Sequence, residues 1–516
     1  MSNQLSVLAI LDGFGYSGQA EGNAIFEAKT PMLDYLWSNF PSYLLKAAEE
    51  EVGLEFGEIG NSEVGHMTIG TGRVIPQALN RINKAIDDGS FYKNQILNQI
   101  LLEAKNNNTN VHLMGIISSS GVHGHLFHFT AMMQLAAQIG VKNLFLHLIL
   151  DGRDAGKFDS PLFLREIEST RKSIHLGTYA SIVGRAYAMD RNGDWATTQR
   201  FYNLLFGQAE KTFSEPSEAI NSYYQQGIDD ENIPPTLINK DKATYIQPND
   251  TIIFTNFRED RARQITQALI DPSFDAFKRL VDPSQLTMVT MTQYKKGLPT
   301  QVVFPPPVIT NTLSDVLSNN SLNQIHIGET EKYGHVTYFF NGGREDKAPG
   351  EEYFLVPSLK PEEFTTKPEM SAQKITEAIL KSIDLGYDFI VFNFANCDMV
   401  GHTGDYQATV RAVEVVDGLL KQIVDHVWAK NGNMYITADH GNSEQMKNPK
   451  TGEIYKKHTI APVPFIIASK DLYTPSETIK VMSDGQISGL LSDIAPTILK
   501  HLELYIPEEM TGKSLI

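Results

Sequence analysis

The chain has 516 residues, 44 basic and 61 acidic side chains, a formal charge of −17 and one cysteine. With 41% apolar and 20% charged residues, it has the composition of a soluble globular protein. A single thiol excludes an internally disulfide-bonded scaffold, and the acid surplus argues against a broad nucleic-acid binder.

Length alone suggests about three domains at roughly 150 residues each. No apolar run approaches the ~18 residues that span a bilayer. The N-terminus reaches Asp12 after a short apolar run and lacks the basic start of a signal peptide. A cytoplasmic protein is expected, with neither membrane nor nucleic acid as partner.

In chain order, residues 7–11 form the first short apolar run and lead straight into Asp12-Gly13. Gly57-Glu58-Ile59-Gly60-Asn61-Ser62-Glu63-Val64-Gly65-His66 is a glycine-flanked turn ahead of a helix predicted from Val64 onward. Arg73-Val74-Ile75-Pro76 closes the first block, with Pro76 as breaker. Asn106-Asn107-Asn108 reads as a polar loop. Ser120-Gly121-Val122-His123-Gly124-His125 precedes a predicted helix over Leu126–Ile139, stopped by Gly140. The apolar run Leu144–Leu150 ends in Asp151-Gly152-Arg153-Asp154. Gly184-Arg185 and Asp190-Arg191 follow, and the run Thr251–Phe254 leads to Asn256-Phe257-Arg258-Glu259-Asp260-Arg261. Pro305-Pro306-Pro307 is a stiff extended segment. Phe389–Phe394 ends in Ala395-Asn396-Cys397-Asp398, with His402 four residues on. A helix is predicted over about 408–428, with Val410, Val413, Val416, Leu420, Ile423 and Val427 on one face. The run 434–437 ends in Ala438-Asp439-His440, and His458 follows in a loop before Pro462 and Pro464.

Short apolar runs alternating with helical patterns predict an α/β fold with buried parallel strands and helices on both faces. Ligands in such folds gather at the carboxyl ends of the strands. Charge adds a partition: residues 1–77 carry a net −7, residues 78–309 carry 0 and residues 310–516 carry −10. A neutral middle between acidic ends, with prolines at both crossings, suggests a domain inserted into another. The expected boundaries are 1–76 with 310–516, and 77–309.

The strand ends carry the chemistry. A strand-end aspartate is ordinarily a turn former or helix cap. Here three separate strands deliver Asp12, Asp398 and Asp439, with His402, His440 and His458 close by. Oxygen and imidazole ligands without thiolate suit Mn²⁺ or Zn²⁺, and six are too many for one tetrahedral ion, so two are expected. Ser62 is either a plain N-cap or a nucleophile; the metal set favours the nucleophile. Arg258 and Arg261, three apart, share a face if that stretch is helical. In a block of zero net charge, clustered arginines mark an anion site, or else ordinary surface ion pairs. His123 is an acid/base group, a phosphate contact or a structural histidine. Cys397 reads as a buried structural thiol.

These segments together resemble one family. Leu11-Asp12-Gly13, Gly60-Asn61-Ser62-Glu63-Val64-Gly65-His66, Asp151-Gly152-Arg153-Asp154, Asn256-Phe257-Arg258 through Arg261, Glu331-Lys332-Tyr333, Gly401-His402-Thr403-Gly404 and Ala438-Asp439-His440-Gly441-Asn442 closely resemble motifs of cofactor-independent phosphoglycerate mutases. They occur in that family's order along essentially the whole chain.

The resemblance implies a metal-bearing domain of the alkaline-phosphatase type, interrupted by an inserted phosphotransferase domain. It implies one ion on Asp398, His402 and His458, and a second on Asp12, Ser62, Asp439 and His440, with Mn²⁺ expected and Zn²⁺ accepting the same ligands. It also implies a substrate clamp of His123, Arg153, Asp154, Arg185, Arg191, Arg258, Arg261 and Lys332. The expected reaction is interconversion of 2- and 3-phosphoglycerate in glycolysis and gluconeogenesis, by a monomer, through phosphorylated Ser62, with Asp154 moving a proton between the glycerate hydroxyls. The inserted domain would close on a two-strand hinge to exclude water. A metal-dependent hydrolase of another phosphoester and a non-catalytic anion-binding protein are the rival readings.

The chain departs from the family pattern at Ser119-Ser120 (usually Asp-Gly), at Gly124 (usually Ser), at Ala155-Gly156 (usually two prolines) and at Phe14 (usually Trp). None of these removes a ligand or an arginine.

Overall fold

The run Ser6–Leu11 is buried along its whole length because parallel strands flank it on both sides. The computed structural model describes residues 4–476 and 486–516. They divide into two compact units, Met1–Gln77 with Val308–Ile516, and Ala78–Pro307. The second crossing thus falls at the end of the proline run.

The first unit holds an eight-stranded sheet. Its strands run, edge to edge, Glu351–Val356, Gln324–Glu329, Phe389–Phe394, Ser6–Leu11, Asn433–Thr437, Val463–Ala468, Ser42–Lys46 and Ile487–Leu490. The first five are parallel, whereas Val463–Ala468 is antiparallel to both its neighbours. The predicted long helix is present as Tyr406–Ala429, and all six residues named for its apolar face are buried. That face belongs to the core shared with the central strands.

The second unit holds another eight-stranded sheet. Its order is Gln301–Val302, Thr287–Thr290, Thr251–Phe254, Val111–Ile117, Leu144–Leu150, Thr178–Gly184, Thr236–Ile238 and Lys211–Phe213. Only the pairing of Thr178–Gly184 with Thr236–Ile238 is antiparallel. Leu126–Ile139 is helical as expected, and Gly140, at φ 86°, closes it in the left-handed conformation that favours glycine.

Two local expectations are corrected, and one of the two readings of Ser62 is excluded. Asn106 and Asn107 are not loop: they end the helix Gln95–Asn107, and Asn108 at φ 54° is its left-handed cap. Asparagine tolerates that conformation better than other non-glycine residues. Arg258 and Arg261 do not share a helical face. They lie in a turn ahead of the helix Arg263–Ile270, so a spacing of three did not imply a helical surface. Ser62 is not the helix cap. The helix Ser62–Thr71 is capped by Asn61, whose side chain accepts from the Val64 N–H, so the Ser62 hydroxyl is free for other work.

Candidate metal centre and arginine cluster

In the first unit, the carboxyl ends of three adjacent parallel strands deliver Asp12, Asp398 and Asp439. Asp398 lies on the short helix Asn396–Gly401, so the four-residue spacing turns its carboxylate and the His402 imidazole toward each other. Their Oδ1 and Nε2 atoms are 3.1 Å apart, and His458 Nε2 lies 3.1 Å from the same oxygen. The two imidazole Nε2 atoms face each other at 3.0 Å. Each Nδ1 is spoken for: His402 Nδ1 donates to the Lys456 carbonyl at 2.7 Å and His458 Nδ1 to the Gly60 carbonyl at 2.9 Å. Asp398 raises the pKa of both imidazoles; once neutral, rings so held would present two Nε2 lone pairs and a carboxylate oxygen to one point, an arrangement that a cation would complete.

The second group is Asp12, Asp439 and His440, all buried. The strand Asn433–Thr437 ends two residues before Asp439, which frees consecutive side chains from the alternation of a regular strand. His440 Nε2 lies 3.5 Å from Asp12 Oδ1 and 3.6 Å from Asp439 Oδ2. Ser62 Oγ joins them at 2.9 Å from His440 Nε2 and 3.3 Å from Asp12 Oδ1. Gly13, at φ 71°, makes the turn possible: a Cβ there would sit 2.8 Å from the Asp398 Cα, and its N–H donates to Asp439 Oδ1 at 3.2 Å.

Lys332 stands with neither expected partner set alone. The resemblance groups it with the clamp arginines, but it belongs to the first unit. Its Nζ lies 2.7 Å from Asp12 Oδ1, 2.7 Å from Ser62 Oγ and 2.6 Å from Asp398 Oδ2. Burial opposes its charge, yet Asp12, Asp398 and Asp439 together raise its pKa. Burial and the Asp439 carboxylate push Asp12 up to about 7, against the pull of Lys332. One ammonium therefore leaves the three buried carboxylates undercompensated. The donor set and this residual charge both fit divalent cations.

The helix bearing Ser62 packs tightly here. A Cβ on Gly65 would sit 2.5 Å from the Asp439 carbonyl oxygen and 2.8 Å from its Cβ. Helix propensity alone would favour Gly65→Ala by about 1 kcal/mol. The clash with fixed backbone outweighs it, at roughly 1–3 kcal/mol. Gly65→Ala is expected to lower the urea midpoint and to weaken metal binding, both measurable on one preparation. A raised midpoint would refute the tight packing.

In the second unit, the candidate clamp forms at the carboxyl ends of four neighbouring strands. Asp151 is its buried hub. It accepts from Arg185 Nη1 at 2.6 Å, from the Arg153 and Asp154 N–H groups at 3.2 and 3.0 Å, and from Ser118 Oγ at 2.5 Å. Arg185 also bonds Asp154, and His123 Nε2 lies 3.9 Å from that carboxylate. Asp260 gathers the other side: Arg191 Nη1 at 2.7 Å, His123 Nδ1 at 3.4 Å and Arg258 Nε at 3.5 Å. Arg261 bonds the Met189 carbonyl at 3.2 Å. Arg153 lies further out, with its nearest carboxylate, Glu231, at 3.6 Å.

Burial and then Arg185 hold His123 down at about 4, so it is neutral at pH 7. Burial and the neighbouring Arg191, Arg185 and Arg153 lower the Arg261 pKa, which is the mark of crowded positive charge. An anion would relieve that crowding. Asp151 and Asp260 are absent from the expected site residues, although both lie inside the quoted motifs. The signal for Asp260 was its position between Arg258 and Arg261, and for Asp151 its position at a strand end two residues before Arg153. Asn442, whose amide donates to Asp398 Oδ1 at 2.8 Å, was signalled only by its place beside His440.

Residues 4–506 match the family model described as the Metalloenzyme superfamily. The chain is 43% identical over 516 residues to the 2,3-bisphosphoglycerate-independent phosphoglycerate mutase of Moorella thermoacetica, covering 100% of this chain and 98% of that one. It is 44% identical to the enzyme of the same name from Clostridium perfringens, with both chains covered in full. A crystal structure of Leishmania mexicana phosphoglycerate mutase, at low cobalt concentration, aligns with a TM-score of 0.65 and 30% identity over 99% of this chain and 97% of that one.

Proposed function

We propose a phosphoserine route from the premise that this chain belongs to the 2,3-bisphosphoglycerate-independent phosphoglycerate mutases and is, with them, an isomerase of 2- and 3-phosphoglycerate. The observation that carries the route is one hydroxyl. Ser62 Oγ lies 2.7 Å from a buried ammonium and 2.9 Å from an imidazole, on a helix whose cap is another residue. The ammonium of Lys332 lowers the cost of removing the Ser62 proton and stabilises charge on the transferring phosphoryl group.

Asp398, His402 and His458 would hold one divalent ion, and Asp12, Ser62, Asp439 and His440 a second. The two ions would neutralise phosphate oxygens and acidify the serine hydroxyl. Mn²⁺ is the proposed native metal and Zn²⁺ the alternative these donors accept. The cobalt in the Leishmania mexicana work is a third first-row cation compatible with such a set.

The inserted unit would hold the glycerate. Arg258 and Arg261 would bind phosphate oxygens, and Arg153, Arg185 and Arg191 the carboxylate and hydroxyls. Asp154, tied to Arg185, would carry the proton from one glycerate hydroxyl to the other, and neutral His123 would donate to or accept from the same group. Retaining glycerate through both transfers is what separates a mutase from a phosphatase. The enzyme is proposed to act as a cytoplasmic monomer on free phosphoglycerate, without nucleic acid or membrane as partner. Among the described residues, no helix is long and apolar enough to cross a membrane.

The test uses 3-phosphoglycerate with ¹⁴C-glycerate in the medium and no bisphosphoglycerate. The expected product is unlabelled 2-phosphoglycerate with no inorganic phosphate. Label entering the product at the turnover rate, or stoichiometric phosphate release, would overturn retention.

A further inference from the structure

Behind the acidic wall of the metal centre lie two fully buried side chains that are assigned no part above. Asn393 is on the strand Phe389–Phe394, and His66 is in the helix Ser62–Thr71. The Asn393 amide nitrogen lies 2.7 Å from Asp12 Oδ2 and 3.1 Å from His66 Nε2. Only an NH₂ group fits that place, since the inverted amide would set its oxygen against a carboxylate oxygen. Each of its two hydrogens then has one partner, and His66 Nε2 must accept. The His66 proton therefore sits on Nδ1, which lies 2.9 Å from the Ser62 carbonyl oxygen and 3.1 Å from Asp439 Oδ2.

The bridge and two backbone N–H groups assign the oxygens of Asp12 and Asp439. With Asp12 Oδ2 held by Asn393, Oδ1 is the oxygen that faces Ser62 Oγ, Lys332 Nζ and His440 Nε2. With Asp439 Oδ1 held by the Gly13 and His440 N–H groups at 3.2 and 3.0 Å, Oδ2 is the oxygen left between His66 and His440. The Asn393 side-chain oxygen has no hydrogen-bond partner in its buried site. Burying an unpaired carbonyl is costly, so this asparagine is poorly explained as core filling and well explained by its two donated bonds.

We propose that Asn393 and His66 are positioning residues. They form a neutral bridge from Asp12 to the Ser62 carbonyl that passes beside Asp439 Oδ2, leaves Asp12 Oδ1 facing the ion held with Ser62 and His440, and ties the first turn bearing the nucleophile to Asp12. The proposal rests on the two-ion reading above.

The test is Mn²⁺ titration of metal-stripped protein, followed by calorimetry and by the Mn²⁺ EPR signal. Wild-type protein is expected to bind two ions in resolvable phases, and Asp439→Asn marks the phase of the Ser62 site. Asn393→Leu keeps the volume and removes both donors. It should weaken that phase by roughly 10–100-fold, the scale for losing an outer-sphere partner of a metal ligand. The phase of Asp398, His402 and His458 should not move. His66→Asn, which keeps an N–H near the Nδ1 position, should lose less than His66→Phe.

Equal weakening of both phases, or no change in either variant, overturns the bridge. Should Asn393→Leu fail to fold, Asn393→Ser, which still donates one bond, makes the same comparison; failure of both to fold makes the bridge purely structural and overturns it. Fewer than two ions on wild-type protein instead refutes the two-ion reading itself.

Discussion

Ser62→Ala abolishes mutase turnover, by roughly 10⁴–10⁶-fold on the scale seen when a covalent nucleophile is removed from other serine enzymes. The expectation is sharp because the substitution removes little else. Ser62 is not the helix cap, so alanine leaves the Asn61 cap and the first turn in place. The residue is 5% exposed and its Oγ contacts only groups of the site: His440, Asp12 and Lys332. Both three-residue ligand groups survive, but alanine removes the Ser62 ligand of the second ion, so the comparison is made with metal saturating; the melting temperature should change little. Incubation with ³²P-labelled phosphoglycerate, quenching in acid and counting the protein distinguishes the outcomes. Wild-type protein should carry acid-stable label on Ser62 and the variant none. Turnover by the variant within tenfold of wild type, or label retained elsewhere with full activity, would end the phosphoserine route.

The parts of this architecture visible in the sequence are those where local pattern and tertiary environment agree. Leu144–Leu150, Thr251–Phe254 and Phe389–Phe394 are buried on both faces of a parallel sheet, so they read as apolar runs with at most one polar residue each, His147, Thr251 and Asn393. The strand Val111–Ile117 is as buried as they are, but His112 and Gly115 interrupt its pattern. Both interruptions have distant causes. His112 is satisfied by Asp250 at 3.1 Å and His147 at 3.0 Å, and a Cβ on Gly115 would collide with Thr255. Gln324–Glu329 was hidden in the same way, by His326, whose Nδ1 bonds the Val336 carbonyl.

At the site, Asp12, Asp398, Asp439 and their histidines were legible because strand ends are marked by the abrupt loss of apolar character. Asn393 was not, although it is the one polar residue inside its apolar run. Its partners Asp12 and His66 lie 381 and 327 residues away, so only the folded sheet reveals what its amide is for. Lys332 likewise carried no local sign that it belonged among carboxylates rather than with the arginines.

Chelation should take the enzyme to below detectable turnover, and two equivalents of Mn²⁺ per chain should restore it. Charge decides this. The centre buries three carboxylates, Asp12, Asp398 and Asp439, against one ammonium, Lys332, a net of about −2 when all are ionised. A phosphate monoester near pH 7 brings a charge of about −2 of its own. At an effective dielectric of ~20, two like unit charges 4 Å apart repel by about 4 kcal/mol, so substrate phosphate is repelled by at least several kcal/mol from the metal-free site. Two divalent ions would turn the site to about +2, which would match the phosphate and leave the complex neutral.

One ion would leave the site near zero. A single equivalent should therefore restore little activity, and the restoration curve should be sigmoidal in added metal. Lys332→Met lowers the same balance by one charge and removes a donor from Ser62 Oγ, which is expected to cost about 10²–10³ in kcat with metal saturating. Metal analysis and initial rates on the same stripped and reconstituted samples provide the check. Undiminished turnover with less than a tenth of an equivalent of metal per chain would show that the three carboxylates are balanced by something other than cations.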